Sequence, residues 1–145
     1  MRENKKGSGV RAFFFISAPA EDEDFRLFVS SLTIQHSEIR EHRQLVDPNI
    51  VPSAWTAMVS LRVHSSLQAS AELTDHIDDI LGSLASVLNN EELRGTVAKY
   101  CGQLSCYIAY KSIVPAIYLS EGQVASLALL NCSFEVDVNP WEIDA

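Results

Sequence analysis

The apolar positions along this chain change spacing from segment to segment, and those changes mark out elements. "RAFFFIS", residues 11–17, is almost continuously apolar, which reads as a strand buried on both faces and so a central one. Pro19 closes it, and Glu21-Asp22-Glu23-Asp24 follows, carboxylates that favour the positive end of a helix dipole. Phe25, Phe28, Val29 and Leu32 then recur at helical spacing. Residues 33–54 keep no steady period; a short edge strand near Glu38–Val46 is expected, then a loop holding Pro48 and Pro52. From Trp55 the pattern sharpens. Ala57, Val59, Leu61 and Val63 alternate with Thr56, Met58, Ser60 and Arg62, the mark of a strand with one buried side.

Thr74 is placed to cap the next helix, whose stripe is Ile77, Ile80, Leu81, Leu84 and Leu88. Asn89-Asn90 and Gly95 interrupt it, and Leu93, Val97 and Tyr100 suggest a second short helix behind the break. Leu104–Tyr110 reads as a strand, and "LSEGQVASLALLN" as a helix with Ser120 and Gln123 spaced as a capping box. Cys132–Val138 is the last strand, with Cys132, Phe134, Val136 and Val138 inward, Ser133, Glu135 and Asp137 outward, and Pro140 ending it.

Strands and helices interleave, but the second and third strands adjoin and admit a hairpin. The order predicts an α+β fold in two layers: a mixed four- to five-stranded sheet with helices packed on one face. A ferredoxin-like core with an added helix and strand fits this order. A three-layer parallel sheet is the alternative, and strands apolar on one side only count against it. At 145 residues the chain is expected to be a flexible tail over 1–10 and a single domain over 11–145.

Charge narrows the function classes. The formal charge is −8, yet residues 1–11 carry four of the 11 basic groups (Arg2, Lys5, Lys6, Arg11) against one acid. The remainder therefore holds 18 acidic and seven basic side chains. Such a body repels phosphate backbones, so no nucleic-acid partner is expected. A basic protein partner is electrostatically easier to accept. No apolar run approaches the length of a membrane-spanning helix, so no membrane partner is expected either. The basic head, the apolar patch and Ala18-Pro19-Ala20 imitate a secretory leader. The apolar stretch Ala12–Ala18 is short for one, and reads instead as the first strand of a cytoplasmic protein.

Candidate chemistry is sparse. Cys101 and Cys106 have the spacing C-x₄-C, and Cys132 is the one other cysteine. Zinc sites favour closer pairs and four ligands, and redox pairs favour C-x-x-C. Cys106 and Cys132 lie on the apolar sides of their strands, so packing is the expected role. His76, with Glu72 and Asp79 on one helix face, admits a cation or acid–base work, but an acid-rich helix start explains the same residues. No cofactor and no catalytic residue is assigned. The exposed carboxylates are more suggestive: Glu21, Asp22, Glu23 and Asp24 form one cluster, and Glu135 and Asp137 share the outward side of the last strand. They are the expected partner-binding residues, against the simpler reading of solvated charge that discourages edge pairing.

Several stretches together resemble a largely bacterial family known as domain of unknown function 4279. They are the Trp-led strand "WTAMVSLRV", Ser65-Ser66, the helix opening near "LTDHIDDILGSL", the Leu-Ser-led helix "LSEGQVASLALLN" and the strand "FEVDV". The first strand and "DEDFRLFVSSL" fit the same plan. The family's Pro-Thr after the first helix and its Lys-Gly-Asp-like turn before the Trp are replaced here by "TIQHSEIREHRQLVDPN". The resemblance supplies no catalytic residue. The reading that follows is a non-enzymatic interaction domain, immunity- or inhibitor-like, binding a basic protein through acidic surface. The alternative is a small-ligand-binding module or modest enzyme with a cleft near Trp55 and His64, or near His76.

Overall fold

Gly9–Pro19 forms strand β1, on which the rest is assembled. The computed structural model describes residues 9–45, 55–111 and 116–140, with the side chains of Leu45 and Trp55 excepted. β1 is followed by helix α1 (Glu23–Ser31), strands β2 (Ser37–Leu45) and β3 (Trp55–His64), and the helical segments α2 (Leu73–Ser83), α3 (Ala85–Leu88) and α4 (Glu91–Lys99). Strand β4 (Gln103–Tyr110), helix α5 (Glu121–Leu129) and strand β5 (Ser133–Pro140) complete the order. β1 begins at Gly9, so Gly9 and Val10 belong to the sheet and not to the expected tail. Residues 1–8, 46–54 (Val46 of the expected edge strand and the loop expected after it), 112–115 and 141–145 lie outside the described residues.

The sheet order is β2-β3-β1-β4-β5. β1 pairs antiparallel with β3 and with β4, and β2 pairs antiparallel with β3. This is the ferredoxin-like arrangement, with the second helix replaced by α2–α4. β5 then pairs parallel to β4 through the crossover helix α5. The fold is the expected two-layer α+β sheet with an appended helix and strand.

Alternation along the strands divides the sheet into two faces. Val10, Ala12, Phe14, Ile16 and Ala18 of β1, Val59, Leu61 and Val63 of β3, and Leu104, Cys106 and Ile108 of β4 are all buried. They form one cluster with Phe25 and Val29 of α1, Ile77 and Ile80 of α2, Val87 of α3, Val97 of α4 and Leu127 of α5. Ala57, expected on this side, is exposed; it lies near the start of β3, where its carbonyl accepts from Ala20 N–H at 2.8 Å. Gly102 is demanded by this core, because a Cβ there would meet Ile16 Cγ2 at 2.9 Å and Phe14 Cε1 at 2.9 Å. The opposite, outer face carries Phe13, Phe15, Arg62, His64 and Tyr107. It is half-buried rather than wet: Ser60 and Ser105 on it are 1% and 6% exposed.

The helices start and stop for local reasons. Asp22 caps α1, accepting from Phe25 N–H at 2.9 Å, so one member of the expected acidic cluster is occupied. Asn90 caps α4 in the same way. α2 begins one residue before Thr74, with Glu72 at its N-cap and no side-chain cap. Thr74 instead serves Gln123, which is 2% exposed. Gln123 Oε1 accepts from Ser120 N–H at 2.9 Å and Ser120 Oγ accepts from Gln123 N–H at 3.1 Å, closing the expected capping box. Gln123 Nε2 reaches Thr74 O and Oγ1 at 3.0 Å and Asp78 Oδ1 at 2.9 Å, tying α5 to α2.

All three cysteines are free thiols. Burial, with Cys132 nearby, pushes the Cys106 thiol up to about 12, and burial pushes Cys132 up to about 12. Neither is held as a thiolate near neutral pH, which agrees with the packing role expected of both. Cys101 is exposed and left-handed, with φ 48°, just past the end of α4.

Two stability measurements follow. Gln123→Ala strips α5 of its box and of the α2 link, and should cost roughly 1–3 kcal/mol in urea unfolding; a loss below about 0.5 kcal/mol would mean water replaces those bonds. Cys101→Gly relieves a left-handed position that suits glycine and should raise stability by about 0.5 kcal/mol. A decrease would show that the Asn131 Nδ2–Cys101 Sγ contact at 3.4 Å outweighs the backbone term.

Candidate functional site

β3 ends at His64, paired with Phe13, while β1 runs on toward Gly9. The chain after His64 must therefore satisfy the exposed backbone of β1. It does so twice: Ser65 N–H donates to Ala12 O at 3.1 Å, and Val10 N–H donates to Ala69 O at 2.8 Å. Between these bonds Ser66–Gln68 opposes Arg11 alone, so the chain bulges away from β1. Gly9 makes the close approach possible, since a Cβ there would sit 2.8 Å from Ala69 Cβ.

The bulge opens a cleft of about 620 Å³ at this end of the sheet. Arg11, Phe13 and Tyr107 line it from the outer face of β1 and β4, and Arg62 and His64 from β3. Val10, Ala12, Leu67 and Ala69 supply an apolar part, with Ser65 and His76 behind. No carboxylate lines it among the described residues. A smaller cavity of about 190 Å³ adjoins it, sharing Arg11, Ala69 and Tyr107 and reaching Asn139.

The two arginines of the cleft lie over rings. Arg62 Cζ is 5.3 Å from the Phe13 ring centre and 6.0 Å from that of Phe15, and Arg11 Cζ is 5.7 Å from that of Tyr107. Phe13 and Tyr107 stack at 6.0 Å and 20°. Arg62 faces Glu38 across the β2–β3 ladder, but Glu38 Oε1 pairs with His64 Nε2 at 3.1 Å and Arg40 Nε at 3.2 Å. The hydrogen bond from His64 is the main reason that the Glu38 carboxyl lies below its ordinary 4.5. Among the described residues neither Arg11 nor Arg62 makes an ion pair, and Arg62 Nε is buried with no hydrogen-bond partner.

His76 forms the rear wall. It is 1% exposed on α2, with Nδ1 2.6 Å from Ser65 Oγ and Nε2 buried without a partner. Burial pushes its pKa below the ordinary 6.5, against the raising influence of the Gln68 carbonyl and Asp79. Ser65 Oγ also accepts from Leu67 N–H at 3.3 Å. Asp79 holds the next residue, accepting from Ser66 N–H at 2.7 Å and Ser66 Oγ at 2.9 Å. Burial raises the Asp79 carboxyl, but these bonds outweigh it and leave it below 3.8.

The expected site residues are thus redistributed. His64 and His76 share the cleft, but Trp55 begins β3 and pairs with Leu45 at the far end of the strand, about 30 Å away at strand rise. Trp55 is therefore not a cleft residue. Glu72, His76 and Asp79 do not converge: Glu72 is exposed, His76 turns inward, and Asp79 serves Ser66. Glu21, Glu23 and Asp24 are exposed at the start of α1 on the helical side. Glu135 and Asp137 project from the outer face of β5, where Glu135 accepts from Gln103 Nε2 at 2.8 Å and Asp137 from Asn139 Nδ2 at 3.0 Å. The two acidic clusters lie on opposite faces of the sheet. Sequence reasoning missed Arg11, Phe13, Arg62, Ser65 and Tyr107. The available signal was the outward parity of β1 and β3, each of which carries an arginine between its buried positions.

No family model, curated protein or solved structure matches this chain.

His76 gives the wall a pH dependence. The folded state keeps the imidazole neutral, while the unfolded chain binds a proton below about 6.5. Stability should therefore be full above that pH and fall as pH drops from 7 to 5. The loss should precede the one from Asp79, which begins near pH 4. His76→Asn should flatten the slope of urea midpoints between pH 7 and 5; an unchanged slope would locate the proton uptake elsewhere.

Proposed function

We propose that this protein is a small-ligand-binding module whose site is the cleft between β1 and the Ser65–Ala69 bulge. One observation carries the reading: a chain of net charge −8 places Arg11 and Arg62, neither of them in an ion pair among the described residues, on one cleft with no carboxylate in its described lining. The volume of about 620 Å³ lies within the range of small-molecule sites, and so does the pairing of an apolar part with a few convergent polar groups. Binding fits better than catalysis. Ser65 Oγ is already engaged by Leu67 N–H and His76, and so acts as a brace for the bulge. A nucleic-acid strand laid over the outer face would meet Glu38 on one side and Glu135 and Asp137 on the other, which favours a compact ligand.

Binding of a basic protein through acidic surface stands second. Its support is the exposed pair Glu135 and Asp137 beside Tyr107 on the outer face. It is weakened because Glu21–Asp24 sits on the other face and Asp22 is spent as a cap. Membership of the domain of unknown function 4279 family and a cytoplasmic setting go with either reading; among the described residues, no helix is long and apolar enough to cross a membrane.

A fragment screen by amide NMR tests the first reading. Hits should shift residues 10–13, 62–69 and 76 together, and Leu67→Trp, which crowds the cleft from an exposed position, should abolish them. Hits that map only elsewhere, or survive Leu67→Trp unchanged, would sink it.

A further inference from the structure

We infer that the ligand of this cleft is a small organic oxyanion, a carboxylate or a phosphate monoester with an apolar body. The inference rests on the reading of the cleft as a ligand site and names what that site selects. The acidic head belongs on Arg62 and Arg11, and the body on Val10, Ala12 and Leu67.

Three observations lead there. The chain holds 19 carboxylates to 11 basic side chains, so a cation on its surface readily finds an acid. Arg11 and Arg62 nevertheless make no ion pair among the described residues, although Glu38 stands in register with Arg62. Glu38 is engaged by His64 and Arg40 instead. Second, both guanidinium groups lie over aromatic rings, at 5.3 Å for Arg62 on Phe13 and 5.7 Å for Arg11 on Tyr107. A guanidinium that lies over a ring and pairs with no carboxylate can still offer terminal N–H groups, and its planar fork matches the two oxygens of a carboxylate or phosphate. Stacking also fixes the fork beforehand, so less rotamer entropy is lost when the anion arrives. Third, Arg62 Nε is buried with no partner, a donor that has lost water and gained nothing in return. An oxyanion on the terminal N–H groups of Arg62 would place negative charge beside that donor. A cationic ligand instead brings further positive charge beside two guanidinium groups without ion pairs, and a neutral one balances the charge of neither.

The experiment is isothermal titration of the intact chain at low salt with four probes of one shape: phenyl phosphate, 3-phenylpropionate, 3-phenylpropionamide and phenethylamine. The two anions should bind at least about tenfold more tightly than the amide, and the amine should not bind. Whichever anion is tighter names the source of the head group. Arg62→Gln should cost the anions about tenfold and leave the amide unchanged, and Arg62→Lys, which keeps the charge without the fork, should fall between. Thermal melts of each variant show that it is folded. Equal affinity for amide and anions, or anion binding indifferent to both Arg62 variants, would overturn the oxyanion inference and leave the cleft reading standing. Failure of both anions to bind at about 10 mM, a free energy of roughly 3 kcal/mol, overturns it too. The cleft reading falls with it only if no fragment of any charge perturbs the cleft amides.

Discussion

The backbone of β1 must be satisfied on both sides along its length, and the architecture follows from how each neighbour meets that demand. β4 pairs with it from Gly9 to Phe15, and β3 from Phe13 to Pro19. The stretch that β3 leaves open is covered by Ser65 and Ala69. Those two bonds set where the chain re-crosses, and with it where Ser65 meets His76 and where α2 begins. A cleft at this point is the geometric remainder of joining five residues to three.

Electrostatics then gives the remainder its character. Elsewhere, acids serve the fold: Asp22 caps α1, Asp78 receives Gln123, Asp79 holds Ser66, and Glu38 occupies His64 and Arg40. With Glu38 taken by His64 and Arg40, Arg62 and Arg11 rest over rings instead of carboxylates. The fold thus separates charge locally while the whole chain stays acidic.

Local features were legible in the sequence, and distant juxtapositions were not. The Ser120–Gln123 box depends on residues three apart, and the inward set Val59, Leu61 and Val63 depends on alternation, so both were visible in short windows. Thr74 looked like a cap because its type suits one, but a buried Gln123 amide 49 residues away needed its oxygens. Trp55 and His64 looked like neighbours in one strand, while strand rise sets them at opposite ends. The cleft itself combines Arg11, Arg62 and Tyr107 through the register of three strands, and register is decided by long-range pairing that no single window contains. Phe13 and Phe15 alternate with buried residues inside one apolar run, which hides the parity that sets them on the outer face beside Arg62.

β5 ends the sheet, and its composition bears on what can join it there. Suppose a second molecule paired antiparallel along that margin, centred on Val136. Glu135 of each would then stand directly opposite Asp137 of the other, on one face and without a cation between them. Like charges directly opposite in such a ladder are destabilising. Two side chains of β5 thus oppose the joining of two copies in this register.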